Sequence, residues 1–125
     1  MRPLVLTVLL AGVACSWTPP GVELISQEAL LADPPAGALI LDVRTPEEFA
    51  TSHVPNAVNI PHTELASRIS ELDVEKTSPI VVYCERGFRA GRAESVLLEA
   101  GYQKVLHLEG DMRAWRANDR PVAAP

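Results

Sequence analysis

Residues Cys84 to Arg89, Cys-Glu-Arg-Gly-Phe-Arg, put a sulfur nucleophile at one end of a six-residue loop and a guanidinium at the other. The loop follows the apolar run Pro79–Tyr83 (PIVVY) and precedes a stretch with helical periodicity. A chain that passes from a buried strand into a helix over so few residues can turn its backbone N–H groups inward, and such a nest at a helix N-terminus stabilises an anion. Cys84 is therefore expected to have a lowered pKa and to act as a nucleophile, with Arg86, Arg89 and Arg92 adding positive charge. Gly87 supplies the backbone freedom that a tight ring needs. The plain alternative is a buried structural cysteine, the commoner role for this residue type. Its place directly after a strand and just before Gly and Arg at a helix start favours chemistry. Arg92 and Arg86 also have a plain role as solvated helix-end charges, whereas Arg89 closes the loop.

The elements that must position this loop alternate along the chain. Val22–Ile25 is a short strand, and Ser26 caps a helix from Gln27 to Ala32 that Asp33-Pro34-Pro35 stops. Ala38–Val43 (ALILDV) is an apolar run suited to a central parallel strand buried on both faces. Thr45-Pro46-Glu47-Glu48 carries a capping threonine, a proline at the first helical position and a glutamate three residues after the cap, so a helix to about Thr51 follows. Val58–Ile60 is a brief strand closed by Pro61, and Thr63–Leu72 places Leu65, Ile69 and Leu72 at helical spacing. After the strand Pro79–Tyr83 comes a helix from Phe88 to Ala100 with Ala90, Ala93, Leu97 and Ala100 on one face, capped by Gly101. Lys104–Leu108 is the last strand, Gly110-Asp111 a turn, and Met112–Ala117 the last helix. This order argues for an α/β fold with an open, mainly parallel sheet and helices on both faces. Ligands in such folds sit beyond the carboxyl ends of the strands, which points at Asp42–Thr45 and at Cys84.

At 125 residues the chain has the size of one domain, and its apolar content of 47% with 22% charged residues describes a globular protein. A net charge of -5 gives no basic field for nucleic acid, so no nucleic-acid partner is expected. The N-terminal stretch differs from the rest. Arg2 precedes the apolar run Pro3–Val13 and then Ala14-Cys15-Ser16, the order of a signal peptide and too short to span a bilayer. The alternative is a buried first element of the domain. Leu10–Cys15 resembles a bacterial lipobox, although Gly12 stands where a leucine is usual, and Gly12-Val13-Ala14 also fits ordinary signal cleavage. The expected division is a signal at 1–15, a tether at 16–21 and a domain at 22–122. A Cys15–Cys84 disulfide is the lesser possibility, since cleavage leaves Cys15 on a tail or removes it.

Four pieces together resemble the rhodanese family over nearly the whole domain. They are DVRTPEEFATSHVPNAVNIP (Asp42–Pro61), VVYCERGFRA (Val81–Ala90), AGYQKVLHLEGDMRAW (Ala100–Trp115) and the proline after Asn118-Asp119-Arg120. The resemblance implies a rhodanese-like α/β fold, Cys84 as the sulfur-accepting nucleophile, and Glu85, Arg86, Gly87, Phe88 and Arg89 as the substrate cradle, with Asp42 and Arg44 near the site. Single-domain members with a signal peptide resemble the periplasmic thiosulfate sulfurtransferases of bacteria. Members with Cys-x4-Arg generally handle sulfur, while related phosphatases and arsenate reductases use Cys-x5-Arg; here the x4 position is Arg89 and the x5 position Ala90. Two departures stand out: Glu85 puts a negative charge beside the nucleophile, and Asp111 replaces the second glycine of the usual Gly-Gly-Met turn. His53 matches a family histidine with a structural role, and His62 and His107 have no metal-ligand spacing with Cys84, so no metal is expected.

The resulting expectation is a sulfurtransferase that moves a sulfane sulfur from a small donor such as thiosulfate to a thiol or cyanide acceptor through a Cys84 persulfide, without a cofactor. The alternative is a non-catalytic or slow sulfur-carrier module serving a protein partner, an option kept open by Glu85. Thiol redox chemistry ranks last, for want of a nearby second cysteine. The protein is expected to be exported, periplasmic or lipid-anchored in the envelope of a bacterium, touching membrane only through a lipidated Cys15, and to be a monomer.

Overall fold

The structure is a computed structural model that describes residues 18–125. The expected signal at 1–15, and Ser16 and Trp17 of the expected tether, lie outside the described residues. The elements are strand β1 (Glu23–Ile25), helix α1 (Gln27–Ala32), β2 (Leu39–Asp42), α2 (Pro46–Thr51), β3 (Val58–Asn59), a 3-10 helix (Ala66–Glu71), β4 (Pro79–Tyr83), α3 (Phe88–Glu99), β5 (Lys104–Leu108) and α4 (Asp111–Ala117). They form one five-stranded sheet in the order β1-β5-β4-β2-β3, with every pair parallel. The α/β architecture agrees with the sequence reading.

Local chemistry sets the helix starts. The Ser26 hydroxyl accepts the Ala29 N–H at 3.1 Å and opens α1. At α2 the Thr45 hydroxyl accepts the Glu48 N–H at 3.2 Å while the Glu48 carboxylate accepts the Thr45 N–H at 3.3 Å, a reciprocal capping box with Pro46 at the first turn. Neither threonine nor glutamate is fully buried there.

β4 is buried along its whole length, and alternation across its pleat feeds two separate cores. Ile80 and Val82 pack with Leu41, Val43 and Val105 and with Ala90, Ala93 and Leu97 of α3. Val81 and Tyr83 pack on the other face with Leu106, Leu108, Leu30 of α1, and Met112 and Trp115 of α4. A central parallel strand with helices on both sides must read as an unbroken apolar run, as PIVVY does. The C-terminal tail returns to the body: the Trp115 indole N–H donates to the Pro121 carbonyl at 2.7 Å, and Ala123 makes an antiparallel bridge with His53.

The stretch Thr63–Leu72 departs from the expected helix. A 3-10 helix occupies Ala66–Glu71, Leu65 and Leu72 are buried at its ends, and Arg68 has φ −113° inside it. The Ser67 hydroxyl bonds the Glu64 carbonyl at 2.9 Å and the Arg68 guanidinium bonds Glu71 at 2.7 Å. These local bonds and a tight Leu72 N–H to Ile69 carbonyl closure draw the segment away from α-helical pairing.

Leu97 is fully buried where α3 meets β4 and β5. Leu97→Ala should lower stability by about 2–5 kcal/mol, measured by urea unfolding at unchanged m-value. A change within a few tenths of a kcal/mol would show that α3 does not pack as described.

Candidate active site

Cys84 follows the last residue of β4, and its side chain lies at the floor of an opening of about 230 Å³ lined by Cys84, Glu85, Arg86, Phe88 and Arg89. The residue is only 1% exposed and its thiol is free. Sγ accepts the Gly87 N–H at 3.0 Å. Gly87 has φ +115°, in the region that favours glycine, and a Cβ there would meet the Asp111 Oδ2 at 3.2 Å. A side chain at this place would be strained, so the turn favours glycine.

The loop is fastened from below. The Cys84 N–H donates to Asp111 Oδ1 at 2.9 Å, the Cys84 carbonyl accepts the Met112 N–H at 3.0 Å, and the Glu85 carbonyl accepts the Arg113 N–H at 3.1 Å. Asp111 itself has φ +54°, so the position where relatives are expected to carry glycine keeps a glycine-like backbone while gaining a carboxylate. Behind Asp111, its Oδ2 lies 2.9 Å from His107 Nε2, and His107 Nδ1 lies 2.6 Å from Glu94 Oε2. All three side chains are buried, and Glu94 Oε1 has no hydrogen-bond partner.

Ionisation at Cys84 differs from the sequence expectation. Burial pushes the thiol up, the Asp111 carboxylate pushes it further up, and the N–H groups of Ala90, Gly87 and Arg86 pull the other way. The amide nest exists, but desolvation and a carboxylate outweigh it. Part of the expected positive charge is already committed: Arg89 makes a two-point pair with Glu48 at 2.6 and 3.0 Å, which holds the Glu48 carboxyl down at about 2. Arg86 is exposed and has no carboxylate partner among the described residues.

Asp42 and Arg44 lie beside this opening rather than in its lining. Arg44 Nη2 is 2.7 Å from Asp42 Oδ2, both side chains are buried, and Nη2 also donates to the Ser52 carbonyl at 2.6 Å. Arg44 Nη1 lies 3.5 Å from Glu85 Oε2, and Arg116 pairs with the other oxygen of Glu85. Glu85, which on sequence alone faced an incoming anion, therefore leans back onto two guanidinium groups. A wider groove of about 550 Å³ runs along α3 from Phe88 and Arg89 past Gly91, Arg92 and Ser95 to Pro19. His62 stands near it, its pKa lowered first by burial and then by Arg89 and Arg92. His53 has a structural place: its ring stacks on Phe49 at 3.7 Å and Nδ1 contacts the Phe49 carbonyl at 2.8 Å.

Sequence reasoning passed over Glu94 and His107 as partners of the site. The signal for Glu94 was a charged residue beside Ala93 on the buried face of α3; for Asp111 it was a carboxylate in a glycine position. Burial opposes charge on His107, but hydrogen bonds to Asp111 and Glu94 outweigh it and raise its pKa to about 9. A raised value means that the charged ring adds stability fully below the ordinary value of about 6.5, and that this contribution is lost as pH rises through about 9. The urea midpoint should therefore fall across that window. Nitrogen NMR at about pH 8 should find both His107 ring nitrogens protonated. A neutral-ring spectrum at that pH would contradict the doubly bonded imidazolium.

A family model described as "Rhodanese-like domain" matches residues 26–118. A sulfurtransferase of Allochromatium vinosum is 37% identical over 87 residues, covering 70% of this chain and 79% of that protein. The thiosulfate sulfurtransferase PspE of Escherichia coli is 39% identical over 70 residues, covering 56% and 67%. Among solved structures, a rhodanese-related protein of Thermoplasma volcanium superposes with a TM-score of 0.72 at 26% identity, covering 82% of this chain and 99% of that one. A structure described as "rhodanese with anions from E. coli" gives 0.60 at 32% identity, covering 70% and 99%. With a family match over most of its length and a cysteine loop at the end of the central strand, this chain belongs to the rhodanese-like domain family.

Proposed function

We propose that the protein is a sulfurtransferase that carries a sulfane sulfur as a persulfide on Cys84. The observation that supports this best is the position of Sγ, sunk at the base of an opening built from its own loop, with the Gly87 N–H aimed at it from 3.0 Å. After the thiol loses its proton to solvent, the Cys84 thiolate attacks the outer sulfur of a donor such as thiosulfate. A Cys84–sulfur bond forms, the donor's sulfur–sulfur bond breaks, and sulfite leaves with the electron pair. An acceptor thiolate or cyanide then attacks the terminal sulfur, and the pair returns to Sγ. The loop amides stabilise the anionic sulfur at both stages. Exposed Arg86, with Arg92 along the groove, supplies the charge that draws an anionic donor, because the Glu85 carboxylate is paired with Arg44 and Arg116.

The carrier reading has one observation in its favour: burial and Asp111 hold the thiol pKa up, which does not suit rapid turnover. Cys84→Ser should abolish transfer from thiosulfate to cyanide, and mass spectrometry of the wild type after thiosulfate should find one added sulfur on Cys84. Residual transfer by Cys84→Ser at the wild-type rate would overturn the assignment. Full loading with slow discharge to cyanide would place the protein with the carriers.

Export is part of the same proposal, supported by Arg2, the apolar run Pro3–Val13 and the cleavage pattern ending at Ala14-Cys15. The mature protein from a bacterial expression host should lack Met1–Ala14 or a slightly longer segment, and an added lipid mass would identify Cys15 as the anchor. An intact N-terminus on the folded protein would count against export.

A further inference from the structure

The buried line Glu94–His107–Asp111 has no part in the sulfur chemistry just described, yet it ends on the backbone of the nucleophile. Its three side chains come from α3, β5 and α4 and meet beneath the loop. Asp111 Oδ1 takes the Cys84 N–H at 2.9 Å, and its Oδ2 stands where a Cβ on Gly87 would lie 3.2 Å away, so the carboxylate rests against the inner face of the ring that holds Sγ. Two carboxyl groups share one imidazole, and Glu94 keeps an oxygen without a partner. One cation between two carboxylates leaves the line with a net negative charge when all three are ionised. That arrangement is costly inside a core even though the hydrogen bonds to the charged ring offset part of the cost.

Structural anchoring alone does not call for this charge. The Asp111 backbone has φ +54°, a conformation that glycine adopts more readily, and the Cys84 and Glu85 carbonyls are already tied to the N–H groups of Met112 and Arg113. The charged side chains that approach the sulfur are few. Asp111 faces it from α4, with His107 and Glu94 behind; Arg89 faces it from α3, its charge shared with Glu48. A carboxylate behind a sulfur disfavours negative charge on that sulfur.

We infer that Asp111, held beneath the loop by His107, is a positioning residue that disfavours negative charge on the Cys84 sulfur and so slows both the loading and the discharge of the persulfide. This rests on the persulfide reading above. In discharge the acceptor attacks the terminal sulfur and Cys84 is the leaving group, and a less acidic thiol leaves more slowly. In loading, a less acidic thiol offers less thiolate at a given pH, and its gain in nucleophilicity, at a slope of about 0.4–0.5, recovers only part of that loss. The line thus acts on both halves of the cycle.

The test uses Asp111→Asn and Asp111→Gly in the full-length protein. The asparagine variant keeps an oxygen for the Cys84 N–H and tolerates positive φ, while the glycine variant relaxes the backbone and removes the side chain. Alkylation of Cys84 against pH reads thiol ionisation with no sulfur donor present, and rapid mixing of the preloaded persulfide with cyanide reads discharge. Both variants should titrate at lower pH than the wild type. Each should discharge faster, and at a pH below the thiol pKa each should also load faster, by roughly three- to fourfold for a tenfold gain in acidity at a slope of about 0.4–0.5. Unshifted titration in both variants would overturn the inference. A shift in Asp111→Gly alone would overturn it too, by reducing Asp111 to an anchor of the loop. If the wild type takes up no sulfur, the persulfide reading fails, and the titration still decides whether Asp111 governs the charge on Cys84.

Discussion

β4 has no solvent face, and that constraint fixes almost everything about the site. Because Ile80 and Val82 fill one core and Val81 and Tyr83 the other, the strand cannot slide or turn without exposing one of them. Its end is thereby fixed in space, and Cys84, the next residue, begins the loop already buried. The helix that follows is pinned by Ala90, Ala93 and Leu97 on the same core that holds Ile80 and Val82. Strand and helix being immobile, the six residues from Cys84 to Arg89 have one way to connect them, with Gly87 at φ +115° taking the turn.

Rigidity at the ends does not by itself set the loop's electrostatics, which come from neighbours that arrive from far along the chain. Glu48 of α2 reaches Arg89, Arg116 of α4 and Arg44 after β2 reach Glu85, and Asp111 reaches the Cys84 amide. Each charge on the loop is answered by a group on another element, except Arg86, which has no carboxylate partner among the described residues. The loop therefore presents less net charge to a ligand than its sequence suggests. Its shape depends on α2 and α4 as much as on its own residues.

This division explains what the sequence could reveal. Apolar runs, caps and turn residues act over a few positions, so PIVVY, the Thr45–Glu48 box and the Cys-x4-Arg spacing were legible, and with them the sheet and the place of Cys84 at the end of its central strand. The 3-10 helix at Ala66–Glu71 was misread because hydrophobic spacing is the same signal for a full helix, and local bonds from Ser67 and Arg68 decided otherwise. The direction of the Cys84 ionisation was misread for a different reason. It depends on burial and on Asp111, 27 residues away in sequence, and no local pattern reports that a carboxylate folds in behind the sulfur. Glu85 was a correct warning drawn from too little: the negative charge is present, but Arg44 and Arg116 hold it.

The depth of Cys84 also bears on how well its sulfur withstands oxidants. Peroxides and disulfides attack thiolates that they can reach, and the first oxidised state escalates to irreversible acids when no thiol is at hand to trap it. A sulfur that is 1% exposed and reluctant to ionise offers such oxidants little to react with. The same burial that would handicap Cys84 in the proposed sulfur transfer shields it from indiscriminate oxidation.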